Sequence, residues 1–136
     1  MPWRYVPTVA LTVLALATLA GCGGTGPREA GASEASEHFE RQLVAGRTGA
    51  ACGALAPGTR MELEESEHKP CSEALAAEQL PEGGSVRKVD VYGRQALVVL
   101  EGDTLFLSQF ADGWKVVAAG CRPEPDKPYQ CTVKGG

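Results

Sequence analysis

From Val86 to Ala119 the sequence repeats one pattern, a short apolar run followed by a tight turn. No other feature limits the possible folds as much. The runs are Val86 to Tyr92, Gln95 to Leu100, Thr104 to Phe110 and Trp114 to Ala119. Between them stand Gly93-Arg94, Glu101-Gly102-Asp103 and Asp112-Gly113, all glycine-bearing turns of the hairpin kind. Parallel strands need long crossover connections, so turns this short demand an antiparallel meander of four strands. The residue pattern also constrains the faces. Ala96, Val98 and Leu100 oppose Leu97 and Val99, and Leu105 and Leu107 oppose Phe106 and Phe110. The last run sets Trp114, Val116 and Ala118 against Lys115, Val117 and Ala119. A sheet with one wet face alternates apolar and polar residues, and the two central runs do not. Helices can cover one face. The other calls for cover by the tail after Cys121, with Tyr129 as its best apolar contact, or by a partner.

Upstream of Val86 the period is helical. Ser33 suits an N-cap, Glu34, Glu37 and Glu40 suit the start of a helix, and Ala35, Phe39 and Leu43 form one stripe. Gly46 suits its C-cap. A second short helix is expected from Thr48 through Leu55, stopped by Pro57-Gly58. Thr59 opens a third, RMELEES, and Pro70 takes the first position of a fourth, CSEALAAEQL. The tail RPEPDKPYQCTVKGG holds three prolines, which predict no further long element. Helices first and a meander second give an α+β fold with the helices on one sheet face.

The N-terminus reads as an address. Arg4 precedes an apolar run from Thr8 to Leu19, which as a helix spans about 18 Å at roughly 1.5 Å per residue. A bilayer core is about 30 Å thick, so the run is a signal-peptide core and not a span. Leu19-Ala20-Gly21-Cys22 resembles the bacterial lipobox at all four positions, with cleavage between Gly21 and Cys22 and a diacylglycerol on the Cys22 thiol. Residues 1–21 are then a lipoprotein signal peptide, 22–32 a glycine-rich flexible tether, and 33–136 a single α+β domain. Loss of the leader removes Arg4, its one charged residue, and takes the net charge from −4 to −5. That balance, with no basic run, excludes nucleic acid as a partner and leaves the lipid as the link to the membrane.

Five cysteines are one too many for disulfides alone. Assigning Cys22 to lipid leaves Cys52, Cys71, Cys121 and Cys131, an even set suited to an oxidising compartment. Four cysteines allow three pairings. We expect the local one, Cys52–Cys71 and Cys121–Cys131, because the first ties successive short helices and the second pins the tail to a strand end.

Several stretches carry a family resemblance. They are GRTGAACGALAPGTRMELEES, the Pro70-Cys71 pair, VDVYGRQALVVL, GDTLFLSQFADGWKVVAAGC and PYQC. Together with the order of elements they resemble small extracytoplasmic lipoproteins of high-GC Gram-positive bacteria with an NTF2-like, cystatin-like roll. The resemblance spans residues 33–136. It implies a roll fold, a cell-membrane location on the extracytoplasmic side, and a cone-shaped pocket in which enzymes of this fold use a strand carboxylate as base. Asp90, sharing a strand face with Tyr92, is the residue in that position.

The remaining chemistry is sparse. His38 and His68 lack the short ligand spacings of a zinc site, so no metal is expected. Glu62, Glu64, Glu65 and Glu67 lack the glycine turn of an EF-hand and read as a solvated helix face. No nucleophile elbow, HExxH helix or phosphate loop is present, and no cofactor is implied. The reading is a membrane-tethered, non-enzymatic binding or regulatory module. A homodimer or a membrane-protein partner would cover the sheet face. The alternative is a small-ligand carrier, or an enzyme with Asp90 as base.

Overall fold

The computed structural model describes residues 25–135, together with Pro2. Gly21 and Cys22 lie outside the described residues. Four helices come first: α1 (Thr25–Val44), α2 (Thr48–Ala54), α3 (Pro57–Glu67) and α4 (Cys71–Ala77). Five strands follow: β1 (Val86–Tyr92), β2 (Gln95–Leu100), β3 (Thr104–Phe110), β4 (Gly113–Glu124) and β5 (Lys127–Lys134). The strands form one antiparallel sheet in the order β1-β2-β3-β4-β5, and the fold is α+β. No strand precedes β1 among the described residues; Leu55 makes only a lone parallel bridge to Val116.

Three expectations need correction. The helix expected after Ser33 begins at Thr25, so most of the expected tether is the first two turns of α1. Pro27 falls in the first turn, where a missing N–H costs nothing. Gly31 lies where α1 crosses Trp114: a Cβ there would stand 2.9 Å from the indole Cδ1. The glycine that suggested a linker instead permits close packing. Pro57 and Gly58 likewise open α3 instead of merely ending α2, with Pro57 at a position that needs no donor. The C-terminal end of α1 matches expectation. Gly46, at φ 71°, closes it with bonds from its own N–H to Leu43 and from Arg47 to Gln42.

The third correction is the tail, which extends β4 from the expected Ala119 to Glu124 and then forms a fifth strand instead of a loop. It pairs along β4 through Ala118↔Lys134, Ala119↔Val133 and Arg122↔Gln130. Proline is tolerated in edge strands because the missing donor faces no neighbour, and Pro128 is in the outermost strand. Pro125 and Asp126 make the turn, with Asp126 at φ 57°.

One sheet face packs on the helices. Val98, Leu105, Leu107 and Val116 meet Phe39, Leu55 and Leu75 there, all buried. Along β4 the simple alternation fails. A bulge between the Ala118 and Val116 pairings puts Ala118 opposite Phe106 and returns Ala119 to the core.

Candidate functional site

The face away from the helices is built from the alternate residues of every strand. One row crosses the whole sheet: Asp90 pairs Leu97, Leu97 pairs Phe106, Phe106 pairs Ala118 and Ala118 pairs Lys134. Apolar residues fill its centre, and charges stand at both ends. Leu97, Val99, Phe106, Phe110 and Val117 are half-buried, whereas Val98 of the opposite face is fully buried. Tyr129 covers part of this surface, with its ring edge-on to Phe106 at 5.2 Å between centroids. The tail therefore covers the face in part, from the edge strand β5.

Asp90 and Tyr92 lie together on this outer face, as the strand pattern requires. The Asp90 carboxylate is 3.0 Å from the Lys88 ammonium, in a partly exposed ion pair. It faces away from the helix-packed side, where the fold has its apolar interior. His38 is exposed on α1, and His68 ends α3 in a left-handed conformation. Glu64 pairs with Arg60 at 3.0 Å on the solvated face of α3. Among the described residues no three His, Cys, Asp or Glu side chains come together as a metal site would need.

The four expected disulfide cysteines form two bonds, Cys52–Cys71 and Cys121–Cys131. The first joins α2 to α4 inside the core. The second joins β4 to β5 across the ladder.

Two carboxylates missed in the sequence are buried near one end of the sheet. Glu40 is 6% exposed, in the second half of α1 and far from the helix start to which its charge seemed suited. Its Oε2 accepts the Gly83 N–H at 2.9 Å, and its Oε1 has no partner. Burial pushes its carboxyl up to about 7; the Gly83 bond pulls it back and the charge of Asp103 adds to the rise. Asp103 accepts the N–H groups of Thr104 at 2.7 Å and Gly120 at 3.0 Å, fastening the β2–β3 turn to β4. Burial raises its carboxyl above the usual range, and the backbone bonds oppose the rise. Beside Glu40, a cleft of about 530 Å³ opens between α1 and Gly84-Ser85. Val44, 64% exposed, forms part of its apolar wall. No sequence motif announces these carboxylates, because Gly83 is 43 residues from Glu40 and reaches it only through the fold.

No family model, curated protein or solved structure matches the chain.

Proposed function

We propose that the chain is a membrane-tethered extracytoplasmic lipoprotein that acts as a non-enzymatic binding or regulatory module. The observation that carries the binding role is the apolar centre of the outer sheet face, where Leu97, Val99 and Phe106 stay half-buried because the chain's own tail covers them only in part. The two disulfides support the location, since such bonds persist in oxidising compartments. The lipobox-like Leu19-Ala20-Gly21-Cys22 supports the tether.

The test has two arms. Intact mass of the exported protein should show a mature N-terminus at Cys22 carrying a diacylglycerol. Cys22→Ala should leave a precursor or a released protein; wild-type mature protein without added lipid mass would refute the tether. For the surface, Leu97→Lys should abolish whatever co-purifies after mild solubilisation while leaving the thermal midpoint nearly unchanged. Co-purification indifferent to Leu97→Lys would remove the outer face from the binding role.

A second reading, a small-ligand carrier, is favoured by the cleft beside Glu40. Its volume falls in the range typical of ligand sites, about 300–1,000 Å³. Glu40→Gln distinguishes the two readings, because it alters the cleft and leaves the outer face untouched.

A further inference from the structure

α1 runs along the helix-packed side of the sheet in a defined direction. Gly31, in its first half, lies against Trp114 at the start of β4. Glu40, in its second half, lies against Gly83 and so near Leu100 at the other end of the strands. The N-terminus of α1 is therefore at the sheet end that holds the β1–β2 and β3–β4 turns. Those turns are locked together: the Gln109 N–H donates to the Arg94 carbonyl at 2.8 Å, and the Arg94 guanidinium donates back to the Gln109 carbonyl.

This end carries an unusual set of side chains for turns. Tyr92 is 51% exposed, one of three large apolar side chains so open to water among the described residues. Phe110 and Trp114 are half-buried, and Ala111 between them is exposed at the tip. Arg94 is exposed beside them, and Lys115 is 3.3 Å from Asp112. Amphipathic aromatic rings with a cation nearby are the residues that settle at the headgroup level of a bilayer.

Chain length gives the second argument. From Cys22 to Thr25 there are three residue steps, at most about 11 Å of extended chain. From Thr25 to Gly31 the helix rises about 9 Å. The Cys22 anchor thus stays within about 20 Å of Gly31 and about 25 Å of the Trp114 indole packed on it. The β4–β5 turn is at the opposite end of a 12-residue strand, about 40 Å long at roughly 3.3 Å per residue. The anchor cannot bring that end to the bilayer as readily as it brings the aromatic end.

We propose that the sheet end formed by the Tyr92–Gln95 and Phe110–Gly113 turns rests in the interfacial region of the bilayer, with Tyr92, Phe110 and Trp114 as its contacts. The inference rests on the lipid-anchored reading above. It adds an orientation: the aromatic end faces the membrane, and the β4–β5 turn points away from it. The outer face then stands upright beside the bilayer, open to a partner in the same membrane.

The tryptophans of the chain are Trp3 and Trp114, so a protein processed at Cys22 reports from Trp114 alone. The lipidated protein is reconstituted into phosphatidylcholine–phosphatidylglycerol vesicles and floated on a density gradient. Trp114 emission is then measured with acyl chains brominated near the headgroup, and separately with iodide in the water. We expect quenching by the brominated lipid, a blue shift, and reduced access to iodide. Tyr92→Asp should reverse all three without releasing the protein from the vesicles. The Tyr92 site is exposed, so this variant keeps its fold; Phe110→Asp serves as the stronger companion. Protein that fails to float overturns the lipid anchor and this orientation with it. Protein that floats but leaves Trp114 open to iodide and untouched by brominated lipid overturns the orientation alone. Protection that rises with protein density at fixed lipid points to a second copy and also overturns it.

Discussion

Glu40 brings a carboxyl into the interior with one hydrogen bond and one orphan oxygen. Its folded pKa of about 7 exceeds the ordinary value of 4.5, so the folded state keeps a proton that the unfolded state releases. The group therefore contributes its full stability below pH 4.5, and that contribution is lost as pH rises toward 7. Over the window the loss is about 3 kcal/mol, since each pKa unit corresponds to about 1.4 kcal/mol. Asp103 shifts in the same direction and steepens the slope. Urea denaturation at pH 5 and pH 8 should show wild-type stability falling as pH rises. Glu40→Gln keeps an acceptor for the Gly83 N–H and has no proton to lose, so its slope should be shallower. An equal slope in both proteins would mean that another group carries the pH dependence. This site was illegible in the sequence for a physical reason. A lone glutamate beside Phe39 reads as a solvated helix residue, and only the approach of Gly83 and Leu100 encloses it.

At the scale of elements, legibility followed the clarity of the local signal. The first three strands have the bounds that their apolar runs and glycine turns predicted, and each turn falls between them. β5 and the first turns of α1 were missed because proline and glycine act there against their usual meaning. Pro128 is harmless at a sheet edge, and Gly31 makes room for an indole. The packing at Gly31 yields a paired test. Gly53, exposed in α2, has nothing within 4 Å of an added Cβ. Gly53→Ala should stabilise by up to about 1 kcal/mol through helix propensity alone. Gly31→Leu must instead displace Trp114 and should destabilise by about 1–3 kcal/mol, the usual range for overpacking. Thermal melts of the two variants should therefore shift in opposite directions, with a change in Trp114 emission for Gly31→Leu only. A rise in melting temperature for both would show that α1 is not seated on Trp114.

For the molecule as a whole, the two disulfides supply much of the net stability. Cys52–Cys71 spans 19 residues and Cys121–Cys131 spans 10. Constraint of the unfolded chain makes each worth about 3 kcal/mol, and the pair about 6. A small domain has a net stability of about 5–15 kcal/mol, so the two bonds are a large part of the whole. Their placement differs, and so should their loss. Cys52 and Cys71 are buried where α2 meets α4, in the same core as Leu55 and Leu75. Replacing both with Ala should lower global stability by about 3 kcal/mol and reduce amide-exchange protection across the helices and the central strands together. Cys121 and Cys131 join the last two strands, where Asp103 also holds Gly120. Replacing that pair should loosen β5 first, with protection lost over Lys127–Lys134 before the core strands open. Accumulation of each variant follows from the same reasoning. The form lacking Cys52–Cys71 should accumulate at a fraction of the wild-type level, while the form lacking Cys121–Cys131 should persist with a protease-sensitive edge. Equal global losses from both replacements would place β5 in the cooperative core and make the last hairpin as essential to folding as the helices.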